Sequence, residues 1–206
     1  MSNKIEDAKK DFKYLIDRGY KKKVAINFVG NHYKLTKEER DKILRSIHTD
    51  EEIKITKKKL TKLEDVDNLA IDGFNVLITI KALLAGRAFL CDDNIYRDLE
   101  RGKYKISDFL KVIDILSDIL KDKIRDKKVE VYLDAQKSRS GDLAKILKER
   151  GFNVFCVKNV DYILKNKEVV ATSDSIIIKS ENVKKVVDLA KEVKDYLNGG
   201  FRCIQK

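Results

Sequence analysis

The stretch IDGFNVLI, residues 71–78, closes a short apolar run, LAI, on an aspartate, a glycine and, two residues further, an asparagine. A helix-like segment, FNVLITIKALLAG, follows at once. Three other apolar runs end in acid: AFLCDD at 88–93, VEVYLD at 129–134 and VVATSD at 169–174. Between and after them lie helical patterns, one built on Ile106, Phe109, Leu110, Ile113, Leu116 and Leu120, another reading SGDLAKILKERG with a glycine stop, and a further strand-like run, NVFCV. Short apolar strands alternating with helices predict an α/β fold with a mainly parallel sheet covered on both faces. In ENVKKVVDLAKEVKDYLNGG, VVDL reads either as a last short strand before a helix or as part of one long helix.

A parallel sheet gathers the carboxyl ends of its strands on one edge, where ligands bind. Asp72, Asp92 or Asp93, Asp134 and Asp174 would then approach one another despite their separation in sequence. Taken singly, an aspartate after a strand is an ordinary turn or cap residue. Several carboxylates in one partly desolvated cleft repel unless some protonate or a cation neutralises them. A hard divalent ion, Mg²⁺ or Mn²⁺, fits oxygen donors of this kind and could promote attack on a phosphodiester. The candidate donors are Asp72, Asp92, Asp93, Asp134 and Asp174, some as ligands to the ion and the others acting through water or as bases.

Around these acids, Gly73 allows a tight bend and Asn75 is placed to orient Asp72 or a phosphate, while Thr172, Ser173 and Ser175 flank Asp174 as caps or as donors to its carboxylate. Ser138, Arg139 and Ser140 open a helix directly after VEVYLD. A helix N-terminus with hydroxyls and an arginine suits an anion, and it is also a normal capped start.

Residues 3–48 read as helices. Ile5, Ala8, Phe12, Leu15 and Ile16 form one stripe, Tyr20, Val24, Ala25, Phe28 and Val29 a second, and Ile43, Leu44 and Ile47 a third, which begins at a capping box of Thr36 and Glu39. Residues 49–66 lack a clean period and read as a connector. A helical module over 1–60 and an α/β domain over 61–206 follow.

Lys and Arg number 45 against 34 Asp and Glu, a formal charge of +11. That excess favours acidic partners, RNA first, through phosphate neutralisation, and disfavours a small-nucleotide phosphohydrolase, which needs no extended positive surface. Cys91, Cys156 and Cys203 form no CxxC pair and read as reduced thiols, and the two histidines, His32 and His48, cannot complete a zinc site with cysteines so scattered. No apolar run reaches membrane-spanning length, so a cytoplasmic chain is expected. Homo-oligomerisation is left open.

IDGFN followed by ATSDS resembles the PIN and NYN group of metal-dependent ribonucleases. The chain also resembles, over nearly its full length, an archaeal family of unknown function, number four-three-four in its naming scheme, through RGYKKKVAINFVGNHYKLTKEER, AIDGFNVLIT, LCDD, LDAQKSRSGDLA and VVATSDSIII. The first resemblance implies a PIN-like sheet with Asp72 and Asp174 as its acids. In that group the second acid sits in a helix, whereas here Asp92 and Asp93 follow AFLC. Together these readings lead to a metal-dependent endoribonuclease, with a non-catalytic RNA-binding adaptor as the alternative.

Overall fold

The computed structural model describes residues 4–100, 104–125 and 127–200; Cys203 lies outside them. Four helices come first: α1 Lys4–Asp17, α2 Lys22–His32, α3 Lys37–Ser46 and α4 Asp50–Lys59. The first three close around Ala8, Phe12, Ile16, Ala25, Ile26, Val29 and Ile43. The second apolar stripe divides: Ala25 and Val29 are buried with Ile26, while Tyr20, Val24 and Phe28 face solvent. Thr36 and Glu39 form the expected capping box on α3.

The segment read as a connector contains α4, opened by a second capping box in which Thr49 receives the Glu52 amide and Glu52 receives that of Thr49. Its period is weak because Thr56 is its one buried residue. The helix is held by polar contacts instead. Lys59 Nζ donates to the carbonyls of Ile178 and Ser180, both at 2.8 Å, and Glu52 takes Lys22 and Lys179 at 2.7 and 2.6 Å. Burial alone would raise the Glu52 carboxyl, but its hydrogen bonds to Lys179, Lys22 and the Thr49 amide hold it at about 2.

The α/β part runs β1 Asn68–Asp72, α5 Gly73–Leu84, β2 Phe89–Leu90, β3 Tyr96–Arg97, α6 Leu110–Lys123, β4 Lys128–Asp134, α7 Ser140–Glu149, β5 Asn153–Val157, α8 Val160–Lys165, β6 Val169–Ala171, α9 Ser175–Ile178, β7 Lys185–Val186 and α10 Leu189–Gly200. Five strands make one parallel sheet in the order β5-β4-β1-β6-β7. Side chains alternate across it, as the pleat requires. Leu69, Ile71, Val131 and Leu133 join the cluster under α5, α6 and α10, while Ala70, Tyr132 and Val170 join the one under α8 and α9. Helices thus cover both faces. Of the two readings of the C-terminal segment, the strand followed by a helix is the one observed, as β7 and α10.

One expected sheet strand is absent from the sheet. Phe89–Leu90 pairs antiparallel with Tyr96–Arg97 in a separate two-stranded ribbon. The segment CDDNI between them is a tight turn, with the Asn94 amide on the Cys91 carbonyl, the Cys91 amide on the Ile95 carbonyl, and Asn94 at φ 64°. Asp92 and Asp93 therefore sit in a hairpin turn and not at the end of a parallel strand. Cys91 lies just beyond β2 and is buried, and both described cysteines are free thiols. No described helix is long and apolar enough to cross a membrane.

Gly73 starts α5 flat against β4. A Cβ there would stand 2.6 Å from Leu133 Cδ2 and 3.0 Å from the Tyr132 carbonyl oxygen. The glycine is needed for helix–strand approach, not for a left-handed turn, since it has no positive φ. In an open helix, alanine for glycine gains up to about 1 kcal/mol. Here Gly73→Ala should instead cost roughly 1–3 kcal/mol as the helix is pushed from the sheet, measurable by urea unfolding; a gain in stability would show that the contact yields freely.

Candidate functional site

In the sheet, β4 and β5 lie to one side of β1 and β6 and β7 to the other, so the strand order reverses between β1 and β6. A crevice opens at the carboxyl end of such a reversal. Asp72 ends β1, Asp134 ends β4, and Asp174 follows β6 as the cap of α9. All three line one cavity of about 830 Å³. Asp98, Glu100 and Asp161 line it too, together with the cations Arg45, Lys137 and Lys165.

The acids are held differently. Asp98 is buried and satisfied, receiving Thr79 Oγ1 and the Glu100 amide, both at 2.8 Å. Glu100 is paired with Lys81 and Arg87. By contrast, Asp72, Asp134, Asp161 and Asp174 have no cationic nitrogen within 4.0 Å among the described residues. Asp134 Oδ1 receives the Gln136 amide at 2.9 Å, and Asp174 Oδ1 receives that of Ile176 at 2.7 Å. Burial pushes the Asp72 carboxyl up to about 6 against the lowering effects of Thr172 and Lys137.

Asn75 and Thr172 tie the two central strand ends together. Asn75 Oδ1 accepts from the Ser173 amide at 2.8 Å and from Ser173 Oγ at 3.0 Å. Thr172 Oγ1 donates to Asp72 Oδ2 at 2.9 Å and receives the Asp174 amide at 3.1 Å. The side-chain oxygen of Asn75 thus fixes the β6 end, and Thr172 orients Asp72. Ser138 and Arg139 are exposed at the mouth of a second cavity, which shares Phe74, Ile78, Glu100 and Lys137 with the first, and Ser140 is buried.

Asp92 and Asp93 do not line the main cavity. Asp93 is fully buried and bound by both terminal nitrogens of Arg97 at 2.7 Å. Burial would raise its carboxyl, but the guanidinium holds it low. Arg97 also donates through Nε to the Ser173 carbonyl at 2.9 Å and through Nη2 to Ser175 Oγ at 3.3 Å. Asp92 grips His48, with Oδ1 at 2.7 Å from Nδ1 and Oδ2 receiving the His48 amide at 2.9 Å. The opposite ring nitrogen lies 3.4 Å from Ser175 Oγ. Ser173 and Ser175 accordingly belong to the packing behind Asp174.

His48, Asp92 and Asp93 could hold a metal ion: among the described residues they are the group of His, Cys, Asp and Glu whose donor atoms all lie within 4.8 Å of one another. Arg97 already neutralises Asp93 there, and an incoming ion would have to compete with it. His48 entered the sequence reading only as an unpromising zinc ligand, and Arg97, Asp98 and Asp161 not at all. Asp98 follows a two-residue strand and Asp161 lies in the first turn of a six-residue helix, so neither closes an apolar run that reads as a sheet strand.

Comparison with known proteins places this geometry in a family. Residues 60–192 match the model described as "Domain of unknown function (DUF5616)", more than half of the chain. The chain belongs to that family. Its residues 4–59 match "Protein of unknown function (DUF434)", so the resemblance drawn over nearly the whole length is confined to the helical region, and the α/β part of this DUF5616 member carries its own description. An uncharacterized protein of Methanocaldococcus jannaschii is 60% identical over 205 residues, covering 94% of this chain and 98% of the relative. No solved structure matches the chain.

The enclosure of Asp72 has a measurable sign. A carboxyl raised in the folded state opposes folding once ionised, above about pH 6, and the opposition fades as the pH falls toward the unfolded value near 4. Asp72→Asn should therefore stabilise the metal-free chain at pH 7–8 by on the order of 2 kcal/mol, with the gain vanishing near pH 4. Melting curves in EDTA across that range provide the check. A uniform loss of stability at every pH would mean that Asp72 serves as a turn residue.

Proposed function

We propose that this protein is a divalent-metal-dependent endoribonuclease with a PIN-like α/β domain. The observation that carries the reading is the set of four carboxylates, Asp72, Asp134, Asp161 and Asp174, with no cationic nitrogen within 4.0 Å among the described residues, around one cavity in a chain of net charge +11. Carboxylates without an ion-pair partner on a protein rich in lysine call for a cation from outside.

The donor set fits Mg²⁺ or Mn²⁺, since every candidate donor is a hard oxygen. Asp72 and Asp174 would hold the ion from the two central strand ends, with Asp134 and Asp161 facing them across the cavity. Asp93 drops out of the proposed ligand set because Arg97 occupies both its oxygens. When bound, such an ion polarises a phosphodiester and acidifies a water. The chain itself orients the acids through Thr172 and Asn75. Lys137, whose ammonium lies 4.7 Å from the centre of the Phe74 ring, and Lys165 offer charge to flanking phosphates. Tyr162, 71% exposed on the cavity rim, offers a face for a base.

The alternative, a non-catalytic RNA-binding adaptor, draws on one observation: no three of the edge acids bring their oxygens within 4.8 Å of one another. A hydrated Mg²⁺, which keeps several waters, tolerates that spacing.

With 5′-labelled single-stranded and structured RNAs, cleavage is expected with Mn²⁺ or Mg²⁺ and not with EDTA. Asp72→Asn and Asp174→Asn should each slow it at least about a hundredfold without loss of folding. Undiminished cleavage in EDTA defeats the metal reading, and RNA binding without cleavage under any metal supports the adaptor.

A further inference from the structure

We infer that the outward face of α2 is a docking surface for single-stranded nucleic acid. Tyr20, just ahead of α2, and Val24 and Phe28, one turn apart on the helix, are 54%, 56% and 69% exposed, although their spacing is that of a core stripe. The helix buries its opposite side, Ala25, Ile26, Val29 and Gly30, and so is already anchored without them.

Charge selects the occupant. Lys21 and Lys23 flank the stripe, both exposed, with no carboxylate oxygen within 4.0 Å among the described residues. Lys22 between them is engaged with Glu52. In the preceding turn the Arg18 guanidinium lies 3.4 Å from the centre of the exposed Tyr14 ring, a planar cation stacked at the surface. A second copy docked by the same face would bring these cations against their own kind. Three partly exposed side chains also fall well short of the roughly 800 Å² per partner that a stable protein interface buries. A polyanion with flat apolar faces meets both demands, since bases stack on aromatic rings and phosphates take the lysines.

The surface is also tied to the cavity. Lys22, Glu52 and Lys179 form one ion-pair chain, and Lys179 ends α9, whose other end is capped by Asp174. Four helical residues span about 6 Å. The α2 face is thereby connected to the acidic edge through the Lys22–Glu52–Lys179 ion pairs and α9, but the inference does not rest on the metal chemistry there.

Binding of a fluorescently labelled oligouridylate of about 20 nucleotides to the full chain, followed by anisotropy in EDTA, tests it. Tyr20→Ala combined with Phe28→Ala should weaken binding at least about tenfold at fixed salt and leave the melting temperature unchanged. Lys21→Gln with Lys23→Gln should flatten the slope of log affinity against log salt by about 1.4. Because binding is read in EDTA and cleavage only with Mn²⁺ or Mg²⁺, failure of this inference and failure of the ribonuclease reading are separately visible. Absence of binding by the wild type, or affinity indifferent to all four substitutions, overturns it. So does a dimer in sedimentation that Phe28→Ala dissociates while RNA affinity stays constant, because the face would then belong to a second copy.

Discussion

The hydrogen bonds between the ends of β1 and β6 are the interaction on which the rest of the site depends. These strands are neighbours in the sheet, but the chain leaves them toward opposite sides, so no connecting loop crosses the gap beyond their carboxyl ends. Asn75 and Thr172 close the base of that gap with side-chain hydrogen bonds, and Gly73 lets α5 start close against β4. Asp72 is thereby fixed in an enclosed position where its charge is costly. That cost distinguishes Asp72 from an aspartate in a solvated turn, where the charge is freely hydrated.

Beside it stands a second acidic group with the opposite electrostatic outcome. Asp93 is fully buried, yet Arg97 meets it with two parallel hydrogen bonds, and the same guanidinium reaches the Ser173 carbonyl and Ser175. A bidentate pair of this kind satisfies both partners, and removing either would leave the other buried and unpaired. His48 adds the helical region to the same network through Asp92. The hairpin that left the sheet thus becomes the joint between the four N-terminal helices and the segment that carries Asp174.

Polar contacts dominate that joint. Glu52 and Lys59 on α4 reach α9 and the turn after it, and Leu60 bridges to Val186 at the sheet edge. The helical core around Phe12 and Ile43 forms a hydrophobic cluster distinct from those on either side of the sheet. A few directional bonds therefore join the two regions, and one of them, Glu52 to Lys179, ends on the cap of the helix that Asp174 begins.

Local signals in the sequence determined much of this. The alternation of apolar strands with helices, the capping box at Thr36, the glycine stop of α7 and the acids at positions 72, 134 and 174 follow from propensity, periodicity and backbone geometry, which act over a few residues. The capping box at Thr49 was equally local but was masked by the lack of an apolar period in α4. Only the tertiary structure decided that AFLC pairs with IYR rather than with the sheet, that Asp93 belongs to Arg97, that Asp98 and Asp161 join the cavity, and that Tyr20, Val24 and Phe28 face outward. Strand partners, ion-pair partners and the choice of which stripe is buried depend on contacts between distant segments. A spacing of residues along one segment carries no record of what packs against it.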